Sequence, residues 1–129
     1  MSKYQNLLKY ISYFENATEN EACRWSSGGE NEEGVITMSY PIYDEQLTTF
    51  IDEVYKTNLL DSDYFGTLKK HGLSSEELIS EIDDADIGLT KAILTYYVRQ
   101  ERFCDGLWAS AVKDKVFYKI LIRLRELED

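Results

Sequence analysis

Apolar residues along this chain recur mostly at the three-to-four-residue interval of helices, with one interruption. Tyr4, Leu7, Leu8, Ile11 and Phe14 hold that interval behind Ser2 and Gln5, which fit a capping box, and predict a helix over residues 3–16. Periodicity is lost over 16–20. Cys23-Arg24-Trp25 and Val35-Ile36-Thr37-Met38-Ser39-Tyr40 then flank a segment rich in Gly and Glu. Ile36, Met38, Tyr40 and Ile42 alternate with smaller or polar residues, which is strand patterning. A β-hairpin near residues 22–40 with a mobile acidic tip is predicted, its second strand ended or left at an edge by Pro41, the single proline. Asp44 is placed to cap a helix carrying Leu47, Phe50, Ile51, Val54 and Tyr55 on one face, stopping near Asn58. A short helix within 61–73 ends at Gly72. Another opens at the Ser74/Glu77 capping box and runs through Leu78, Ile79 and Ile82.

The run Asp83-Asp84-Ala85-Asp86 supplies carboxylates at the start of the next helix, where the macrodipole favours them. From about Ile87 this helix is predicted to be the longest, with Leu94, Tyr97, Val98, Glu101, Cys104, Trp108 and Ala111 or Val112 along one stripe. Lys113-Asp114-Lys115 breaks it. The final helix buries Val116, Phe117, Ile120, Leu121, Leu124 and Leu127 and turns Arg123 and Arg125 outward, and the two read as an antiparallel pair. The predicted fold is mainly α (α+β): five to six helices in a compact bundle with one small β-hairpin near residues 22–40. No linker or repeat divides residues 1–129, so a single domain is expected.

Composition narrows the function classes. With 43% hydrophobic residues in 129, the chain is long enough to bury a core without disulfides or metal. Ten tyrosines point to wet core edges or a contact surface, since a tyrosine ring buries while its hydroxyl stays polar. The net charge of −10 is uneven, −12 over residues 1–86 and +2 over 87–129. Without a Lys/Arg stripe, direct binding to nucleic acid or to an anionic membrane is disfavoured. Cys23 and Cys104 form neither a disulfide framework nor metal-ligand spacing, the N-terminus is polar, and no apolar run is long enough to span a bilayer. A cytoplasmic protein with reduced thiols is expected. One histidine, His71, excludes a histidine-rich metal site and sits where it complements a helix C-terminus. Gly28, Gly29 and Gly34 lie in an acidic segment, the wrong sign for cradling phosphate. Neither metal nor cofactor is predicted.

The stretch Arg99-Gln100-Glu101-Arg102-Phe103-Cys104-Asp105-Gly106 crowds four charges, a thiol and a glycine into an apolar pattern. A buried charge persists only if it is paired or used. Arg99, Glu101, Arg102, Cys104 and Asp105 therefore form the candidate polar cluster, with Trp25, Tyr97 and Trp108 as packing or contact residues around it. In one reading the stretch is a pinning network. Glu101 and Asp105 accept hydrogen bonds from an arginine, from tyrosine hydroxyls or from hairpin amides, and Arg102 pairs with Asp105 three residues on. In the other it is a pocket, with Glu101 a carboxylate of raised pKa, Arg102 or Arg99 an anion clamp and Cys104 a nearby thiol. Cys104 reads as a small hydrophobe on the apolar side, and no histidine base adjoins it, so no catalytic residue is assigned. Gly106 permits a kink or a close backbone approach. Trp25 is a core contact or, if exposed, an interface anchor.

Arg-x-Glu-Arg-Phe-Cys-Asp-Gly at 99–106, followed by the Phe-x-x-Ile-Leu-x-x-Leu helix at 117–124, resembles an uncharacterised bacterial family of small proteins, a domain of unknown function. Tyr13-Phe14 and Pro41-Ile42-Tyr43 are similar to its other shared elements. That family's pattern has a glycine in the break before the last helix where this chain has Lys115, which implies a different turn. The resemblance implies a bacterial or phage-derived cytoplasmic protein and carries no activity. The function expected is a non-enzymatic protein–protein interaction module acting on another protein. The alternatives are a small enzyme or ligand-binding domain with a pocket at Glu101, Arg102 and Asp105, and an acidic inhibitor or DNA mimic of phage or mobile-element origin.

Overall fold

The computed structural model describes residues 4–25, 29–30, 36–37, 41–104 and 106–128. The first amphipathic stretch forms two helices instead of one, α1 (Gln5–Leu8) and α2 (Ile11–Asn16), separated by a turn at Lys9 and Tyr10. Across that turn the apolar stripe is kept, with Leu7 and Phe14 buried and the Tyr10 ring set edge-on to Phe50. Thr18 caps α3 (Glu19–Ala22), its hydroxyl accepting from the Glu21 N–H at 3.3 Å.

The hairpin region is displaced from its predicted register. β1 (Cys23–Trp25) is followed by the short strands β2 (Gly29–Glu30) and β3 (Ile36–Thr37), which pair with each other antiparallel. The partner of β1 is β4 (Pro41–Tyr43), not the 35–40 run, with Cys23 opposite Tyr43 and Trp25 opposite Pro41. Pro41 starts a strand, a position where its missing N–H is tolerated, and the pairing runs on through the Asp44 N–H to the Ala22 carbonyl at 2.7 Å. The expected mobile tip and the alternation through Met38 and Tyr40 fall largely outside the described residues.

α4 (Glu45–Tyr55) buries Leu47, Phe50, Ile51 and Val54, but Tyr55 stands half exposed, one position off the buried stripe. Asp44 occupies the N-cap position without capping. Its Oδ2 accepts the Tyr13 hydroxyl at 2.8 Å instead. α5 (Tyr64–Lys70) ends as predicted at Gly72, where φ is +68°. The Gly72 N–H donates to Lys69 and the Leu73 N–H to Leu68, a Schellman closure. At the next start the Ser74 N–H and hydroxyl both donate to Glu77, opening a 3-10 turn (Ser75–Glu77), α6 (Leu78–Glu81) and a second 3-10 turn (Ile82–Asp84).

Asp86 caps α7 (Ile87–Arg99), accepting from the Leu89 N–H at 2.8 Å. The predicted long helix through Val112 is broken. α7 gives way to a 3-10 turn (Gln100–Phe103), Gly106 adopts a left-handed backbone, and α8 (Leu107–Lys113) starts afresh before α9 (Val116–Glu128). Such breaks raise the helix count among the described residues above the five to six expected. Arg123 is also not turned outward: its Nε donates to the Ala85 carbonyl at 2.7 Å, tying α9 to the end of the second 3-10 turn.

Phe14, Phe50 and Phe117, from α2, α4 and α9, meet at the centre with ring centroids 4.7–5.4 Å apart, all fully buried. Offset and edge-to-face rings of this kind add to the stabilisation from their buried area. α7 packs on α5 and α9, and α8 packs on α3 and α9, which brings the start of α8 beside β4. Among the described residues no helix is long and apolar enough to cross a membrane.

Candidate functional site

The break at 100–106 creates a helix start with no cap of its own. The first N–H groups of any helix lack intrahelical partners, and the N-cap residue of α8 is Gly106, which carries no side chain. Glu101, five residues earlier, fills that role. Its Oε2 accepts the Gly106 N–H at 3.0 Å and its Oε1 accepts the Trp108 N–H at 2.9 Å. A carboxylate is favoured here by the helix dipole as well. From β4, the Tyr43 hydroxyl donates to Oε1 at 2.6 Å. The Trp108 indole then closes the corner from the other side, donating to the Tyr97 carbonyl of α7 at 2.9 Å, with its ring 5.1 Å from that of Tyr43.

Glu101 is thus held by a tyrosine hydroxyl and by backbone amides, two of the partner types expected, but the amides belong to α8 rather than to the hairpin. Burial, then the hydrogen bond to Glu101, pushes the Tyr43 hydroxyl far above its ordinary range, so it remains a donor. Tyr97, buried with its ring against Tyr96 and Phe117, is raised to about 12 by desolvation. With both Glu101 oxygens engaged, use of this carboxylate as a base would uncap α8.

Gly106 adopts φ +91°, the left-handed region open to glycine. Trp25 lies directly over it, and a Cβ there would meet the indole at 2.8 Å. A close approach does occur at this glycine, but by the Trp25 side chain and not by the expected backbone. Trp25 nonetheless stays 51% exposed. Cys104 is exposed, against the expectation of an apolar-side thiol, because the 3-10 turn and the extended backbone at Cys104 (φ −146°, ψ 88°) carry it off the α7 stripe. The buried thiol is Cys23, raised by desolvation and donating weakly to the Arg24 carbonyl. Asp105, with its expected pairing to Arg102, lies outside the described residues.

Arg99 and Arg102 line a groove of about 470 Å³ with Tyr55, Val98, Glu101 and Trp108. The Arg102 guanidinium sits 5.0 Å from the Phe103 ring centre, and Phe103 is 73% exposed. Among the described residues neither arginine has an ion-pair partner. No group of three or more potential metal ligands is assembled among them either. Sequence reasoning missed Tyr43 as the partner of Glu101 and Phe103 and Tyr55 as surface aromatics. Only the 3.6-residue phase of Tyr55 relative to Ile51 and Val54 carried a usable signal.

A wider cleft of about 840 Å³ lies between α2 and the start of α4, around the Tyr13–Asp44 hydrogen bond. Its lining mixes polar side chains with the apolar surface of Tyr10, Tyr13 and Ala17, and Tyr13 is held protonated by burial and by Asp44.

A family model described as a family of unknown function (DUF6508) matches residues 1–129. No curated protein and no solved structure matches the chain.

Proposed function

The chain belongs to the DUF6508 family, a family of unknown function, and from that premise we propose that it acts by contact with another protein through the aromatic surface around the α7–α8 corner. The observation that carries this reading is the pair Trp25 and Phe103, 51% and 73% exposed, the first against Gly106 and the second in the 3-10 turn that follows α7. Large exposed aromatics beside arginines match the composition of interface anchors, and free exposure of such rings to water is unfavourable. The Glu101 cap and the close approach of Trp25 to Gly106 anchor the backbone of this corner, which lowers the ordering entropy spent on association. The pocket reading draws less support, because the Glu101 carboxylate it would use as a base is committed to three donors.

Affinity capture from the native cell lysate tests the proposal. Wild type should retain a stoichiometric partner that Phe103→Ser releases while unfolding at the same denaturant concentration. Equal retention by Phe103→Ser and Tyr55→Ser would place the contact elsewhere.

A further inference from the structure

We propose that the groove beside the turn receives an acidic peptide segment of the partner, with carboxylates on Arg99 and Arg102 and an apolar side chain against Tyr55, Val98 and Trp108. This rests on the contact reading above. Arg99 and Arg102 are three residues apart, one at the end of α7 and one in the following 3-10 turn, and both line the groove. In a chain of net charge −10, these two guanidinium groups share one groove, and neither has an ion-pair partner among the described residues. Glu101, the carboxylate lining the same groove, has its charge drawn onto the start of α8 by the Gly106 and Trp108 amides and the Tyr43 hydroxyl. The arginines therefore set the field that an incoming group meets. The Arg102 guanidinium lies over the Phe103 ring with its centre 5.0 Å from the ring's, a cation–π contact that uses none of its N–H groups in an ion pair and leaves them for a carboxylate.

Size and long-range charge separate a peptide from a nucleic acid. A volume of about 470 Å³ admits one or two side chains. Repulsion from the acidic remainder of the protein is screened beyond about 8 Å at physiological salt, so a short acidic segment can reach the groove. A polyanion presents charge along its whole length to that remainder and is repelled.

The test uses fluorescently labelled ten-residue peptides built around one leucine or phenylalanine, in acidic, uncharged (Gln/Asn) and basic series, read by anisotropy at low and high salt. The acidic series should bind about tenfold more tightly than the uncharged one, with the advantage lost at high salt. It should also disappear in the Arg99→Gln/Arg102→Gln double variant. Arg102→Glu, a change at an exposed position, should shift preference toward the basic series, with circular dichroism reporting an intact fold. Equal binding of acidic and uncharged peptides, a preference that survives the double variant, or stronger binding of an oligonucleotide would overturn the assignment. The two readings fail separately. A captured partner released by Phe103→Ser but not by the arginine variants leaves the contact surface standing and removes the acidic segment. A partner released by none of them removes both.

Discussion

Lys115 has φ +62°, a left-handed backbone that costs an L-residue about 1 kcal/mol relative to glycine. Its ammonium group explains why the position is not glycine. Nζ donates to the carbonyls of Phe14 at 3.1 Å and Glu15 at 2.7 Å, in the last turn of α2, where unpaired carbonyls and the dipole both favour a cation. Strain and capping oppose each other at this residue, and substitutions separate them. Lys115→Gly should fall within about 0.5 kcal/mol of the parent, relieving strain while losing the bonds. Lys115→Ala keeps the strain and loses the bonds, and should cost about 1–2 kcal/mol in urea unfolding. Equal effects of the two would show that the backbone conformation carries no penalty here.

At the scale of elements, the α7–α8 corner is a short module in which one carboxylate ends one arrangement and begins the next. Glu101→Ala leaves two helix-start amides and a part-buried phenol without their acceptor, and should cost about 3 kcal/mol. Glu101→Gln keeps one acceptor oxygen but turns an NH2 toward a donor, at about 2 kcal/mol. Tyr43→Phe should cost about 1–2 kcal/mol in the parent and nearly nothing beside Glu101→Ala. A double-mutant cycle showing simple additivity would contradict the geometry. Gly106→Ala meets both the left-handed backbone and the Trp25 ring, and a loss of about 1–3 kcal/mol is expected from thermal unfolding.

For the whole molecule, three tyrosines held protonated by burial, Tyr13, Tyr43 and Tyr97, lower stability at alkaline pH. Tyr97 holds its proton to about 12, and burial raises Tyr13 and Tyr43 further, whereas an unfolded tyrosine titrates near about 10. Below that value both states are protonated and the stabilisation is complete. As pH rises above it, the unfolded chain releases protons that the folded chain retains, so stability falls by about 1.4 kcal/mol per pH unit for each such tyrosine. Urea midpoints at pH 9, 10 and 11 should show a decline confined to the alkaline interval. Tyr97→Phe should make it about one third shallower, one tyrosine of the three having been removed. A flat profile to pH 11 would mean that these hydroxyls are open to water.

Local chemistry already specified much of this architecture, because it depends on neighbours in the chain. Phe14, Phe50 and Phe117 carry helical periodicity into the core, Gly72 supplies a left-handed helix end, Ser74 with Glu77 and Asp86 open helices at their predicted places, and Lys113 to Lys115 separate the last two. Membership of the family follows from the sequence as well. Periodicity failed where an interaction between distant segments outweighed it. It carried the stripe straight through Glu101 and Cys104, since apolar spacing is blind to a carboxylate that folds back to cap the next helix. It paired β1 with the wrong run, since strand pairing is a choice among remote partners, and it turned Arg123 outward without the Ala85 carbonyl that holds it. The exposure of Trp25 and Phe103 was likewise decided in three dimensions, because a residue's surface depends on what the rest of the chain packs over it.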